Sequence, residues 1–366
     1  MRWPVLKPLY WEVIYSERIN PPLTRRVFFM ILRAAKNRNL PETRRMKAAV
    51  LHQLGQIPRY EDFPDPVPQH PDELILHVST AAVKNIDKLR AGGSHYASYT
   101  KLPVVVGIDG VGTLADGTRV YAQGLTGTIA QLALIRKDKY VVLPSGLDDS
   151  MAAALPNAGM GAAMALLTRA ELRKGETVLI NGATGVTGRL AVQLAKHYGA
   201  SSIIATGRNP GSLQQLKALG ATDVLSLNQQ EGDVVKKFTE IHRVTPIDIV
   251  IDYLWGRPAE LILQALKGSG TFTPRVRIVT VGSMAGENIT LASGILRSSA
   301  IELLGSGIGS LSEAEMEYFN SQVLPEMFRL AAAGQLQVET ETARLTAIET
   351  AWTKEIGSGK RLVIKI

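Results

Sequence analysis

The chain has 366 residues, of which 45% are hydrophobic and 20% are charged. This composition is ordinary for a globular protein, and the length predicts about two domains. There is no cysteine, which excludes disulfides, thiolate nucleophiles and any zinc site built on sulfur. The formal net charge of +8 is uneven, because residues 1–45 hold ten Lys and Arg against three acids, or +7, and leave 31 basic against 30 acidic residues elsewhere.

The basic first 45 residues carry no strong targeting signal. Their longest apolar run, Val27–Leu32, is too short for a membrane span or a secretory leader. A nucleic-acid-binding arm is one interpretation of the charge. The other, which we favour, is a basic extension that is disordered or not native and ends before residue 46. We expect a cytoplasmic protein with no membrane partner.

Residues 46–147 contain short apolar runs separated by turn residues, such as Leu74–Val78 and Tyr140–Leu143. Short strands at this spacing indicate an antiparallel barrel or sandwich. The pattern then changes, because Asp149–Ser150 is suited to cap a helix. Pro156 is expected to interrupt that helix.

From Thr177 onward, strand patterns alternate with helical patterns. Strands are predicted at Thr177–Asn181, Ser202–Thr206, Asp223–Leu227, Ile247–Asp252 and Arg277–Val281. Helices are predicted between them at Arg189–Tyr198, Ser212–Leu219, Asp233–Ile241 and Pro258–Leu266. This alternation implies right-handed crossovers and a parallel sheet with helices on both faces. From about Leu311 the pattern is helical again and ends in a strand, Arg361–Ile366.

The first of these strands runs into a glycine-rich loop, after which a helix begins at once. The loop consists of Gly182, Ala183, Thr184, Gly185, Val186, Thr187 and Gly188. Its glycines permit a tight turn, a close approach of the backbone to a pyrophosphate, and close packing of helix on strand. The helix N-terminus adds N–H donors and a partial positive charge. These seven residues are therefore predicted to bind a dinucleotide.

The end of the second strand indicates which dinucleotide binds. An NAD site usually places Asp or Glu there to bind the ribose 2′-hydroxyl, but this chain has Thr206, Gly207, Arg208 and Asn209. No acid is present to repel a 2′-phosphate, and the Arg208 guanidinium is a planar, permanently charged partner for one. Thr206 and Asn209 are expected to add hydrogen bonds. The predicted cofactor is NADP(H).

Several segments together resemble one known family. They are Lys47–Leu51, Val83–Asp87, Leu102–Gly112, Gly182–Lys196 and Val279–Gly286. In this combination they resemble the medium-chain dehydrogenase/reductase superfamily, in its zinc-free, quinone oxidoreductase-like branch, over nearly all of residues 46–366. The resemblance makes Gly282 and Ser283 part of the loop that closes over the nicotinamide half of the cofactor.

The resemblance implies an α/β fold in which a Rossmann-type, doubly wound parallel sheet is inserted into a GroES-like antiparallel β-barrel. The barrel, or catalytic domain, would comprise residues 46–147 and 300–366. The NADP-binding domain would comprise residues 148–299. Substrate and nicotinamide would meet in the cleft between them, and members of this branch are frequently homodimers.

The zinc sites of the superfamily are not retained in this sequence. The positions similar to the Cys, His and Cys ligands of the catalytic zinc are Lys84, Ile108 and Asn157. Ile108 cannot bind a metal, and the short connection Gly112–Gly117 leaves no room for a structural-zinc lobe. We therefore expect no metal and no zinc-dependent alcohol oxidation.

The remaining chemistry is hydride transfer from NADPH to a small quinone or α,β-unsaturated carbonyl. Charge that develops on the acceptor oxygen needs a hydrogen-bond donor. The predicted catalytic residues are Tyr96 and Lys84, with Asn85 as a weaker candidate. Equally, Tyr96 could pack on the barrel rim and Lys84 could be solvated. Asn157 is a candidate contact for the nicotinamide carboxamide.

Two other functions remain open. One is reduction of another activated double bond, such as that of an enoyl thioester. The other is a binding or regulatory protein that keeps the nucleotide fold and binds RNA through the basic N-terminal extension. We expect the enzyme, with no nucleic-acid partner.

Overall fold

The parallel sheet and the antiparallel sheet predicted above are both present in the computed structural model, which describes residues 44–270 and 272–366. The first strand begins at Arg45. The predictions for residues 1–43 lie outside the described residues.

The strands of the described residues are β1 Arg45–Leu51, β2 Arg59–Pro64, β3 Glu73–Val83, β4 Val104–Val105, β5 Asp109–Thr113, β6 Arg119–Gly124, β7 Leu132–Val142, β8 Thr177–Asn181, β9 Ser202–Gly207, β10 Asp223–Ser226, β11 Ile249–Asp252, β12 Val276–Thr280, β13 Ile301–Gly305, β14 Glu339–Arg344 and β15 Lys360–Lys365. The helices are α1 Asn85–Gly92, α2 Asp149–Met164, α3 Val186–His197, α4 Pro210–Leu219, α5 Glu231–Val244, α6 Gly256–Ala265, α7 Ser293–Ser298, α8 Glu313–Tyr318, α9 Leu324–Ala332 and α10 Ile348–Thr353. A π-helical turn, Ala165–Arg169, continues α2, and another, Phe319–Val323, joins α8 to α9.

The parallel sheet has the strand order β10-β9-β8-β11-β12-β13, and every neighbouring pair in it is parallel. Its central strands, β8 and β11, are buried at every position, as expected for strands covered by helices on both faces. The chain moves outward from β8 to β10, then returns to β11 and moves outward the other way. The doubly wound fold is confirmed, and its switch point lies between β8 and β11.

The antiparallel strands form a sheet of order β14-β15-β3-β5-β6-β7, which closes on itself because β3 also pairs with β7. Within it, β14 and β15 pair in parallel. The strands β1, β2 and β4 form a separate small sheet of order β2-β1-β4. Because β14 and β15 are the last strands, segments before and after the parallel sheet build one barrel-like unit, as the GroES-like prediction requires.

Helix α2 differs from the prediction. Its N-cap is Asp148, whose carboxylate accepts hydrogen bonds from Ser150 N and Met151 N, and the helix continues through Pro156 to Met164. Proline removes one backbone hydrogen bond. Because α2 is buried along most of its length, its packing offsets this loss and the helix continues. The predicted interruption was therefore wrong.

The helix Asp149–Arg169 is long and apolar enough to span a membrane by length and composition, and it is the one such helix among the described residues. In the protein, 72% of its apolar window is buried. Packing of this helix against the antiparallel sheet and against α3 and α9 therefore accounts for its composition.

The parallel sheet also extends further than predicted. The nucleotide-binding domain is predicted to end at residue 299, but β13, Ile301–Gly305, pairs with β12 through the register Val276↔Ile301 to Thr280↔Gly305. The sheet therefore ends at Gly305. The rest of the proposed division into domains stays a prediction.

Candidate active site

A cavity of about 1280 Å³ lies at the carboxyl ends of the parallel strands. Its wall is formed by the loops that follow β8, β9, β11, β12 and β13, and by residues of β3, α1, α2 and the segment Thr353–Leu362. The carboxyl edge at the switch point is where open α/β sheets bind ligands. The cavity is therefore the candidate active site.

The three glycines of the loop after β8 differ in what a side chain at their positions would contact. Gly182 has φ +85°, and a Cβ there would lie 2.8 Å from Leu254. A Cβ on Gly188 would lie 2.6 Å from Ala183 Cα, so close packing of α3 requires this glycine. A Cβ on Gly185 would meet no atom within 4 Å. Gly185 thus keeps space in the cavity free beside the N-terminus of α3, whose N-cap residue it is.

A hydrogen-bond network holds this loop from beneath. The Asn181 amide donates to Asp252 Oδ1 at 2.8 Å and accepts from the Thr206 hydroxyl at 2.8 Å, while Gly182 N donates to Thr206 Oγ1 at 3.1 Å. Asp252 also accepts from Leu254 N at 2.9 Å and from Trp255 N at 3.1 Å. Burial raises the pKa of Asp252. The carboxylate links the ends of β8, β9 and β11.

Most of the predicted cofactor residues lie in the cavity wall. Those are Gly182, Thr184, Gly185, Val186, Thr187, Gly188, Gly207, Arg208 and Gly282. Arg208 belongs to the wall and is exposed. Its side chain makes no hydrogen bond or ion pair with any other residue that the structure describes.

Four predicted cofactor residues lie outside the wall. Ala183 and Thr206 are fully buried, and the Thr206 hydroxyl is part of the network beneath the loop. The Asn209 side chain caps α4 by accepting from Ser212 N at 2.9 Å. Ser283 Oγ donates to Glu287 at 2.7 Å. In the structure, the side chains of Thr206, Asn209 and Ser283 thus have partners within the protein, and the cofactor contacts of the four residues stay predictions.

Lys84 lies in the wall, but its side chain is only 2% exposed. Its Nζ is 2.8 Å from Asp109 Oδ1, 3.0 Å from Ala82 O and 3.2 Å from Asp87 Oδ2. Burial lowers the pKa of Lys84, but the Asp109 and Asp87 carboxylates outweigh burial, so the pKa lies above its ordinary value. Lys84 is therefore a buried ammonium ion that donates two hydrogen bonds, to Asp109 and Ala82, and forms an ion pair with Asp87.

This geometry does not support the predicted catalytic residues. The Lys84 ammonium is committed to two hydrogen bonds and to the ion pair with Asp87, and this arrangement does not favour a hydrogen bond to a substrate. Tyr96 is 84% exposed, stacks against His95 with ring centroids 4.1 Å apart, and is outside the cavity wall. Its position on the surface matches the alternative in which it is a loop tyrosine.

A zinc ion does not fit the residues at this site. The Lys84 ammonium ion, held by Asp109, would repel a cation, and the chain has no cysteine. Within the part of the chain that the structure describes, no group of three or more His, Asp or Glu side chains is placed to hold a metal.

Two polar side chains in the wall were missed from the sequence. The Tyr253 hydroxyl and Arg361 Nε are buried and have no hydrogen-bond partner among the described residues. Tyr253 directly follows β11, so the rule that singled out Arg208 after β9 could have found it. Arg361 begins an apolar strand about 180 residues from the loop, and no local signal marks it. Burial lowers the pKa of Arg361.

The remainder of the wall has a large apolar part. Its members include Met160, Met164, Met284, Ile308, Leu311 and Ile356. The amides of Asn85 and Asn157 also line it, and they make no hydrogen bond with another residue that the structure describes. Such a wall, apolar with a few polar groups, is typical of small-molecule sites.

Comparison with known proteins agrees with this fold. Residues 186–327 match the family model described as zinc-binding dehydrogenase. A probable NADPH-dependent quinone reductase from Emericella nidulans is 28% identical over 349 residues, which cover 84% of this chain and 96% of that relative. The chain is therefore similar over most of its length to a quinone reductase, and over residues 186–327 to the zinc-binding dehydrogenase model.

Two further similarities bear on the site. A 2-methylene-furan-3-one reductase from Solanum lycopersicum is 29% identical over 192 residues, 47% of this chain and 49% of that relative. The solved quinone oxidoreductase from Thermus thermophilus, known also in complex with NADPH, matches with a TM-score of 0.69 at 24% identity, over 88% of this chain and 100% of that one. The structural match supports the fold.

The Lys84 cluster leads to a prediction about stability. We expect Lys84→Met to lower the free energy of unfolding by about 3–5 kcal/mol, because it leaves Asp109 and Asp87 buried without their cation. Chemical denaturation measures this loss. The matched control is Lys47→Met, which removes an exposed ammonium paired with Asp62 at 2.9 Å and should change stability very little. Equal losses in the two variants would contradict the buried ion cluster.

Proposed function

We propose that the protein is an NADPH-dependent, zinc-independent reductase that transfers hydride to a quinone or an α,β-unsaturated carbonyl compound. The observation that carries the proposal is the combination, in one cavity at the switch point, of unpartnered polar groups and the open space beside Gly185. Buried polar groups without partners are rare in native proteins. They are accounted for when a polar ligand fills the cavity.

The cofactor of this chain is NADP(H). The N–H groups at the start of α3 have no side-chain cap and would bind the pyrophosphate. Arg361 in the opposite wall would supply a second, cationic contact to it, and Arg208 would bind the 2′-phosphate. The relative from Emericella nidulans is named as NADPH-dependent, and the structural neighbour from Thermus thermophilus binds NADPH.

The size and lining of the cavity leave room for an acceptor. Pockets for one drug-sized ligand measure about 300–1000 Å³, and this cavity is larger, at about 1280 Å³. Its wall of methionine and aliphatic side chains suits a flat, largely apolar acceptor and excludes water from it. We propose that the acceptor lies against this apolar part.

The bound cofactor would supply the hydride. The protein would orient the acceptor and donate a hydrogen bond to its carbonyl oxygen, where negative charge develops. Since the Lys84 ammonium is committed to protein partners and Tyr96 is outside the wall, we assign this hydrogen bond to the Asn157 or Asn85 amide. The ion-paired Lys84, at the position similar to a metal ligand of the superfamily, supports zinc independence.

The relatives from Emericella nidulans and Solanum lycopersicum support this reaction. Their names include both a quinone reductase and an enone reductase, so both acceptor classes stay in the proposal. The alternative of RNA binding depends on residues outside the described part of the chain. A homodimer and a cytoplasmic location also remain proposals.

We expect steady oxidation of NADPH, followed by its absorbance, with members of a panel of small quinones and enones. The Gly185→Val variant should lose this activity by at least about 100-fold, because its side chain fills cofactor space while its backbone, at φ −76°, tolerates valine. The control is Gly232→Val in α5, where a Cβ also meets no atom within 4 Å but which lies outside the wall of the candidate active site. An inert panel, or full activity in Gly185→Val, would refute the proposal.

Removal of metal tests zinc independence separately. We expect prolonged dialysis against a strong chelator to leave the rate of NADPH oxidation unchanged within error, since no step requires a Lewis acid. Metal content measured before and after dialysis is the control. Loss of activity that added zinc restores would show that this part of the proposal is wrong.

A further inference from the structure

Tyr253 presents a polar group that the fold itself does not use. The residue is 8% exposed and lines the cavity, and its hydroxyl is buried with no hydrogen-bond partner among the described residues. Burial raises the pKa of Tyr253, so the phenol stays neutral and can both donate and accept a hydrogen bond. Leaving such a group unpaired costs free energy in the empty protein. A ligand that pairs with it would recover that cost.

The position of Tyr253 in the sheet indicates which half of the dinucleotide it faces. A doubly wound sheet binds the two halves of a dinucleotide on opposite sides of the switch point. Arg208 follows β9 on one side and is assigned to the 2′-phosphate of the adenosine half. Tyr253 follows β11 on the other side. The nicotinamide half is therefore expected on its side of the sheet.

The surroundings of Tyr253 agree with this placement. Its side chain belongs to the apolar cluster that also contains Met160, Met164 and Val279, with Val281 packed against it. Met160, Met164 and Val281 line the same cavity. These residues come from α2 and from the end of β12, where the apolar wall that we assign to the acceptor lies. The hydroxyl thus sits at the junction of cofactor and acceptor space.

We propose that the Tyr253 hydroxyl forms a hydrogen bond with the nicotinamide-ribose half of NADP(H) and orients it in the cavity. This inference rests on the proposed function, because it presumes that the cavity binds NADP(H). It assigns Tyr253 to cofactor binding and orientation, with no part in proton transfer.

The test uses two ligands that share the adenosine half, of which only one carries the nicotinamide half. They are NADPH and adenosine 2′,5′-bisphosphate, titrated calorimetrically into the wild type, Tyr253→Phe and Tyr99→Phe. Tyr99 is the matched control, because its hydroxyl is also buried without a hydrogen-bond partner among the described residues, but Tyr99 lies outside the cavity wall. We expect Tyr253→Phe to bind NADPH about tenfold more weakly, as for the loss of one hydrogen bond. Its affinity for adenosine 2′,5′-bisphosphate should remain within about twofold of the wild type.

The ligand-free protein provides a second readout. Because the hydroxyl is unpaired there, Tyr253→Phe should melt at the same temperature as the wild type or higher. Tyr99→Phe should leave both affinities unchanged. An unchanged NADPH affinity in Tyr253→Phe, or an equal loss for both ligands, would overturn the inference while the proposed function stands. Failure of the wild type to bind NADPH would overturn the proposed function itself.

Discussion

The buried carboxylate of Asp252 determines the shape of the site. Through Asn181 it is linked to Thr206, and directly it holds the backbone of Leu254 and Trp255. Three loops from three neighbouring strands are thereby fixed at the edge of the sheet where ligands bind. Because the network is buried and its members satisfy one another, it is rigid. The pyrophosphate loop is preorganised by the same contacts.

A second charged cluster fixes the opposite wall. Lys84 joins the end of β3 to Asp109 at the start of β5, and to Asp87 in α1. It thus sets the position of the barrel strands beside the cavity, but it uses the N–H groups that a catalytic lysine would offer to a substrate. The polar groups left for ligands are those without a hydrogen-bond partner among the described residues, which include Arg208, Arg361 Nε, the Tyr253 hydroxyl and the amides of Asn85 and Asn157. Polar groups that are paired within the protein therefore hold the fold, and unpaired polar groups in the wall are available to bind a ligand.

The sequence allowed the parallel sheet, the glycine loop and Arg208 to be predicted, because each depends on local pattern: apolar strands, glycine spacing and the residue after a strand. The pattern does not show that the Thr206 side chain faces the core. It also does not show that Lys84 pairs with Asp109, which is 25 residues away. Arg361 was missed for the same reason, since only the closed barrel brings β15 to the cavity. Long-range packing, which sequence pattern does not encode, decided these three residues.

The central claim is that the cavity at the switch point is an NADP(H) site in which Arg208 binds the 2′-phosphate. The most direct measurement compares the Kd of NADPH with that of NADH on the wild-type protein, by nicotinamide fluorescence at low and moderate salt. The two ligands differ only in the 2′-phosphate. We expect NADPH to bind at least about tenfold more tightly, with a preference that decreases as salt rises. Equal affinities, or no binding of either ligand, would contradict the account.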